Sequence, residues 1–297
     1  MRRMTTGVTD PSRIGTVKLP DGRQLAWAEW GPTSGAAVLF CPGAGNSRSL
    51  GFGADALDRL HIRLISIDRP GLGASTPAPE RTLSDWASDI AHLARARQLD
   101  RLAVVGHSQG APFALACAAA EVAAAAAIVA GTDELAHPAL RGMLPPEVAK
   151  LVELSTADPA RAEAFFAGMN AGTLWNMILG MSGETDRALY TEPTFSAAYQ
   201  RALSEAFSQG SAGYARDTVL AMRPWPFDPA AIRVPVDLWY GALDTSTVHS
   251  PDHGATLARR LPSARRHLLP QEGGGVLWTR AEEILASLLA RIEEPAR

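Results

Sequence analysis

Three observations predict an α/β fold with a mostly parallel sheet. Short apolar runs alternate with helical stretches along most of the chain. One of those runs, LAVV, leads straight into a Gly-His-Ser-Gln-Gly turn at 106–110. The alternation stops once, over roughly 132–228, where the chain turns helical and irregular, and then resumes. Strands of five or six apolar residues separated by helices imply a sheet covered on both faces.

The elements follow in order. Thr16 to Leu19 and Leu25 to Trp30 read as a hairpin around Pro20-Asp21-Gly22, a strong turn signal. Ala36 to Phe40 is an apolar strand ending at the Pro/Gly-rich loop CPGAGNS, and Ile62 to Ile67 is another ending at DRPGLGAS. Thr82 to Arg97 has helical periodicity, with Leu83, Trp86, Ile90 and Leu93 on one face and Thr82 as its N-cap. A strand at 102–105, a helix at 109–120 and a strand at 126–130 come next. After the interruption the spacing predicts a strand at Val234 to Tyr240, a helix at Pro251 to Leu261, a strand at Arg266 to Leu269 and a helix at Arg280 to Ile292.

The segment between the strands reads as an insertion into one sheet, not as an independent domain. Phe165, Phe166, Trp175, Met177, Met181, Tyr190, Tyr199 and Phe207 are spread through it. An apolar helical insertion at the C-terminal ends of strands forms a lid over a ligand crevice. Packing of lid on core is the simpler reading for any single one of those side chains.

Composition narrows the function. Basic and acidic residues number 28 and 31, so no charge excess points to nucleic acid or an anionic membrane. Cys41 and Cys117 are too few for a disulfide framework and lack metal-ligand spacing. No apolar run approaches the length of a membrane span. None follows Arg2 and Arg3, so a secretory leader is not expected and a cytoplasmic location is.

The chemistry starts at Ser108. A serine on a sharp strand-to-helix turn occupies a sparsely populated backbone region, and Gly106 and Gly110 clear the space two residues to either side. The helix that follows supplies free N–H groups and a positive dipole end to a developing oxyanion, with the Gln109 N–H as one donor. His107 points away from the serine oxygen and reads as structural.

FCPGAGNSR, ISIDRPGLGAS, VVGHSQGAPFALACA and VDLWYGALD resemble the α/β-hydrolase superfamily, most closely its lidded esterase, lipase and epoxide-hydrolase-like branch. The resemblance covers essentially the whole chain apart from the first dozen residues. It implies an α/β-hydrolase fold with a mostly parallel eight-stranded sheet. The core would span 14–131 and 229–297, and the lid 132–228. It puts the second oxyanion donor at Ala44 N–H, with Pro42 where the family's loop histidine stands. Asp68 matches a structural loop aspartate. Asp244 matches the family's acid, which orients an imidazole and stabilises its positive form. Asp133 or Glu134 is the alternative acid. Aspartate-nucleophile chemistry on epoxides or haloalkanes is not expected with a serine at 108.

The base breaks the pattern. The family carries it in the loop after the last strand, and Gly274 stands at that position, a vacant base site. His267 lies on the preceding strand, several residues early. Glu272 is a poor match for deprotonating serine. His249, His253 and His137 are the substitute bases within reach of the sheet's mouth, each with a solvated or packing role as the simpler reading. Loss of a triad member leaves about 10³–10⁴ over water in serine proteases. The expected function is therefore a serine hydrolase, a carboxylic ester hydrolase acting on an ester or lactone of an apolar small molecule. Its base would be replaced elsewhere or removed by substitution. A non-hydrolytic cyclase or lyase and a catalytically impaired ligand-binding protein are the alternatives. The resemblance implies neither metal nor organic cofactor, and the charge balance and short apolar runs imply no nucleic acid partner and no membrane span. Self-association as a homodimer is left open.

Overall fold

A computed structural model describes residues 7–293. The Arg2–Arg3 start, on which the expectation about a secretory leader rests, lies outside the described residues, as do the last four residues of the expected core. In chain order the described elements are β1 (Arg13–Lys18), β2 (Gln24–Trp30), β3 (Ala36–Cys41), α1 (Ala54–Leu57), β4 (Ile62–Ile67), α2 (Leu83–Ala96), β5 (Ala103–His107), α3 (Ala111–Ala119) and β6 (Ala125–Val129). Six helices come next: α4 (Pro146–Ala157), α5 (Pro159–Phe166), α6 (Ala171–Met181), α7 (Glu184–Tyr190), α8 (Pro193–Ala206) and α9 (Ala212–Met222). The chain then returns through β7 (Val236–Gly241), α10 (Ala255–Arg260), β8 (Ala264–Leu269), α11 (Val276–Thr279) and α12 (Ala281–Ile292).

The eight strands form one sheet in the order β1-β2-β4-β3-β5-β6-β7-β8. Only β2 runs against its neighbours, pairing antiparallel with β1 and β4, and every pair from β4 to β8 is parallel. This is the α/β-hydrolase sheet. Side-chain alternation divides the core into two layers. Val38, Phe40, Val105, Ala127 and Trp239 face α11, α12 and most of the six helices. Leu39, Ile65, Val104, Ile128 and Leu238 face α2, α3 and α10.

Local chemistry explains the element ends. Thr82 caps α2 through a reciprocal capping box with Asp85, as its position predicts. The predicted helix at 109–120 opens with a 3₁₀ turn, Ser108–Gly110, before α3 begins. Two one-turn helices, α1 and α11, were not predicted, because four residues carry too little periodicity to stand out. No helix among the described residues is long and apolar enough to cross a membrane.

Candidate active site

Ser108 sits where β5 gives way to the 3₁₀ turn, with φ of 50° in the left-handed region. For a residue with a Cβ this conformation costs about 1–3 kcal/mol and persists only where its surroundings enforce it. The two glycines do so. A Cβ at Gly106 would lie 2.8 Å from both Ala114 Cβ and Gly110 O, and one at Gly110 would collide with Cys41 O. The elbow is therefore closed against β3 as well as α3, as the pattern predicts.

The loop after β3 forms the opposite wall. A Cβ on Gly43 would lie 3.4 Å from Ser108 Cβ, so main chain at Gly43 abuts Ser108. Ala44 N–H has no acceptor among the described residues. Gln109 N–H lies in the first helical turn, where no intrahelical acceptor exists. Ala44 and Gln109 line the same cavity as Ser108. Arg69, in the loop after β4, holds this wall from behind. Its fully buried guanidinium donates to Pro42 O at 2.6 Å, to Gly43 O at 3.0 Å and to Asp217 Oδ2 of α9 at 2.6 Å. Arg81 shares the same Asp217 carboxylate. Asp68 is structural, as the resemblance implies: it accepts from the Arg48 and Ala74 amides at 2.6 and 2.8 Å.

Gly274 carries no side chain, and an imidazole reaches Ser108 and Asp244 from elsewhere in the chain. His249 Nδ1 lies 2.7 Å from Asp244 Oδ2, and its Nε2 lies 2.8 Å from Ser108 Oγ. A solvated or packing role, the simpler reading of this histidine in sequence, does not describe it. The loop after β7 is pinned on both sides of His249. Thr132 Oγ1 donates to Val248 O at 3.0 Å, and Ser250 N donates to Gly131 O at 3.0 Å. Thr132 N in turn donates to Ser108 O at 3.0 Å, tying both loops to the elbow. Ser246 N donates to Asp244 Oδ1 at 3.0 Å, which leaves Oδ2 for the imidazole.

The other candidates lie apart. His137 caps the 3₁₀ segment Pro138–Met143 by accepting from Ala139 N. His253 packs edge-on to Tyr240, and His267 stacks on Trp239 with centroids 3.9 Å apart. Asp133 accepts from Glu134 N and Ser250 Oγ, Glu134 from Trp225 N and Arg260, and Glu272 from Thr279 and Arg280. None of these carboxylates touches the imidazole.

Electrostatics follow from burial and partners. For His249 burial works against the charged ring, but the Asp244 carboxylate outweighs it and its pKa is raised. For Asp244 burial opposes ionisation, yet His249 carries the pKa below the usual value. His107 is pushed down to about 3, chiefly by burial and then by His249, so it stays neutral. Its Nε2 lies 3.3 Å from Gly274 O, away from the serine oxygen.

Above Ser108 lies a cavity of about 140 Å³ lined mainly by apolar side chains, including Phe166, Met177, Met181, Tyr190 and Tyr199. Phe165 is instead exposed, while Trp175 and Phe207 pack on the core. Sequence reasoning missed Arg69, Asp217 and Asp186. Asp186, in α7, accepts from Gly274 N and Gly275 N at 2.8 Å each. An isolated Arg or Asp carries no pattern that foretells such a partner.

The fold agrees with the comparisons. The model of the alpha/beta hydrolase family matches residues 38–287, and the chain belongs to that family. A non-heme chloroperoxidase from Streptomyces lividans is 32% identical over 105 residues, a stretch covering 33% of this chain and 36% of that protein. Among solved structures, a thermophilic esterase from Thermogutta terrifontis superposes with a TM-score of 0.69 at 19% identity, covering 95% of this chain and 100% of that one. The enol-lactonase from Burkholderia xenovorans LB400 superposes with a TM-score of 0.68 at 19% identity, covering 94% and 100%. At such identities the structural likeness speaks for the fold.

Proposed function

We propose that the protein is a serine hydrolase that cleaves an ester or lactone of a small apolar molecule, with Ser108, His249 and Asp244 as its triad. The observation that carries this reading is the pair of hydrogen bonds on one imidazole, 2.7 Å to Asp244 and 2.8 Å to Ser108. Neutral His249 Nε2 takes the Ser108 proton as Oγ attacks the carbonyl carbon. The Ala44 and Gln109 N–H groups receive the oxyanion. The imidazolium, stabilised by Asp244, then protonates the departing alkoxide. Water attacks the acyl-enzyme with the same histidine as base, and carboxylic acid leaves.

In this reading 132–228 is a lid, and the cavity beneath it selects the substrate. At about 140 Å³ it is close to the ~150 Å³ apolar cavity that takes up benzene in an engineered lysozyme. The acyl or alcohol part held there is thus about one aromatic ring in size. The esterase and enol-lactonase neighbours act on bonds of this class, which accords with the proposal. The case for a non-hydrolytic enzyme or an impaired binding protein rested on an absent base, a role that His249 fills in this reading.

The test is p-nitrophenyl butyrate hydrolysis. Ser108→Ala and His249→Ala are each expected to lower kcat by on the order of 10⁴-fold or more. His249→Ala with wild-type kcat would assign the base elsewhere. A wild-type rate no higher than that of Ser108→Ala would remove the hydrolytic reading.

A further inference from the structure

The turn after β8 has three consecutive buried glycines, Gly273, Gly274 and Gly275. None has a positive φ, so backbone conformation does not demand them. Close approach does. A Cβ at Gly273 would collide with the Asp186 carboxylate, and one at Gly275 would lie 2.5 Å from Leu189 of the same helix. On the other face, a Cβ at Gly274 would lie 3.0 Å from Asp244 Oδ1. The turn is a sheet of bare main chain pressed between two carboxylates. One belongs to the triad, and the other is brought by α7.

Asp186 is 4% exposed and accepts from the N–H groups of Gly274 and Gly275. Such charge-assisted bonds are about twice as strong as neutral ones. A run of glycines loses more conformational freedom on ordering than any other sequence, so it needs an external clamp to act as a wall. We propose that Asp186 is a positioning residue of the triad, delivered by the lid: it clamps the glycine turn behind Asp244. Asp244 and His249 then hold their reactive geometry only when α7 is seated. The inference rests on the hydrolase reading and deepens it. The turn that lacks the family's histidine serves as the lid's socket.

The clamp has an electrical consequence. The charged and titratable groups facing His249 are Asp244 from its own loop, Asp186 from α7 and neutral His107 from β5. Those facing Asp186 are Asp244, His249 and Tyr190 of its own helix. Asp244 and Asp186 both favour the charged imidazole against burial. Removing either negative charge therefore lowers the pH at which His249 becomes a base.

The experiment uses the full chain and the variants Asp186→Asn, Asp186→Glu and Gly273→Ala. Three quantities are read: kcat and KM on p-nitrophenyl butyrate across pH, fluorophosphonate labelling of Ser108, and the NMR titration of His249. Asp186→Asn is expected to lower kcat on the order of 10- to 100-fold, as a misplacement near 1 Å does, with KM changing less. The His249 titration and the acid limb of kcat/KM should both move to lower pH. Asp186→Glu keeps the charge and should restore the limb more fully than kcat. Gly273→Ala displaces the carboxylate without removing it, so kcat should fall with a smaller shift in titration; it answers the question if Asp186→Asn does not fold. Wild-type kcat with an unmoved His249 titration in Asp186→Asn, or wild-type kcat in Gly273→Ala, overturns the positioning role while leaving the triad intact. A wild-type chain whose Ser108 does not label removes the hydrolase reading, and this inference with it.

Discussion

An imidazole bonded through Nδ1 to a carboxylate and through Nε2 to a hydroxyl can accept the serine proton only while it is neutral. His249 has its pKa raised, because Asp244 outweighs the opposing effect of burial. Below that pKa the ring is protonated and Ser108 keeps its proton, so kcat/KM should fall on acidification along a limb lying above the ordinary histidine value near 6.5. A pH–rate profile checks this directly. Asp244→Asn removes the largest favourable partner and leaves only Asp186 to oppose burial. The limb should then move down while kcat drops by about 10⁴-fold. Gly274→His is the complementary case. Its Cβ would press on Asp244 at 3.0 Å, and its ring would compete with His249 for a carboxylate already engaged. The variant is expected to leave kcat unchanged or lower it, and a gain of orders of magnitude would show that His249 is not the working base.

At the scale of elements, the strands and the elbow were legible because each is a local pattern. Apolar runs five or six residues long mark the strands, and glycines two residues either side of Ser108 mark the turn. Asp244 was legible as the residue that follows an identifiable strand. His249 was visible only as one of several histidines. Its reach to Ser108 depends on bonds from Thr132 and Ser250 that join loops more than a hundred residues apart. The contribution of α9 was not legible at all. Asp217 on that helix neutralises Arg69 and Arg81 in full burial, and Arg69 grips the Pro42 and Gly43 carbonyls of the loop after β3. Removing one partner from such a cluster leaves uncompensated buried charge. Asp217→Asn should therefore cost about 3–5 kcal/mol in denaturant unfolding. A loss below about 1 kcal/mol would mean that the two guanidiniums find other partners and that α9 is not tied to the loop through them.

At the scale of the whole molecule, buried carboxylates pull the pH dependence of stability in two directions. Those held below their usual range, Glu29 among its arginines and Asp244 beside His249, stabilise the fold when ionised. Their contribution is lost as pH falls through their folded pKa values. Asp133 acts oppositely. Burial raises its pKa from 3.8 to about 6, against the bonds it accepts from Glu134 N and Ser250 Oγ. The folded state then holds a proton that the unfolded state releases between about pH 4 and 6. The stability this group confers is complete below pH 4 and lost as pH rises through 6. At 1.36 kcal/mol per pKa unit the swing is at most about 3 kcal/mol. Asp133→Asn keeps an acceptor for Glu134 N and offers a donor to Ser250 Oγ, with no charge to bury. The variant should match the wild type in thermal unfolding near pH 4 and exceed it by several degrees near pH 7.5. Equal melting temperatures at both pH values would show that Asp133 is ionised in the native protein at little cost, with Arg260 or solvent compensating its charge.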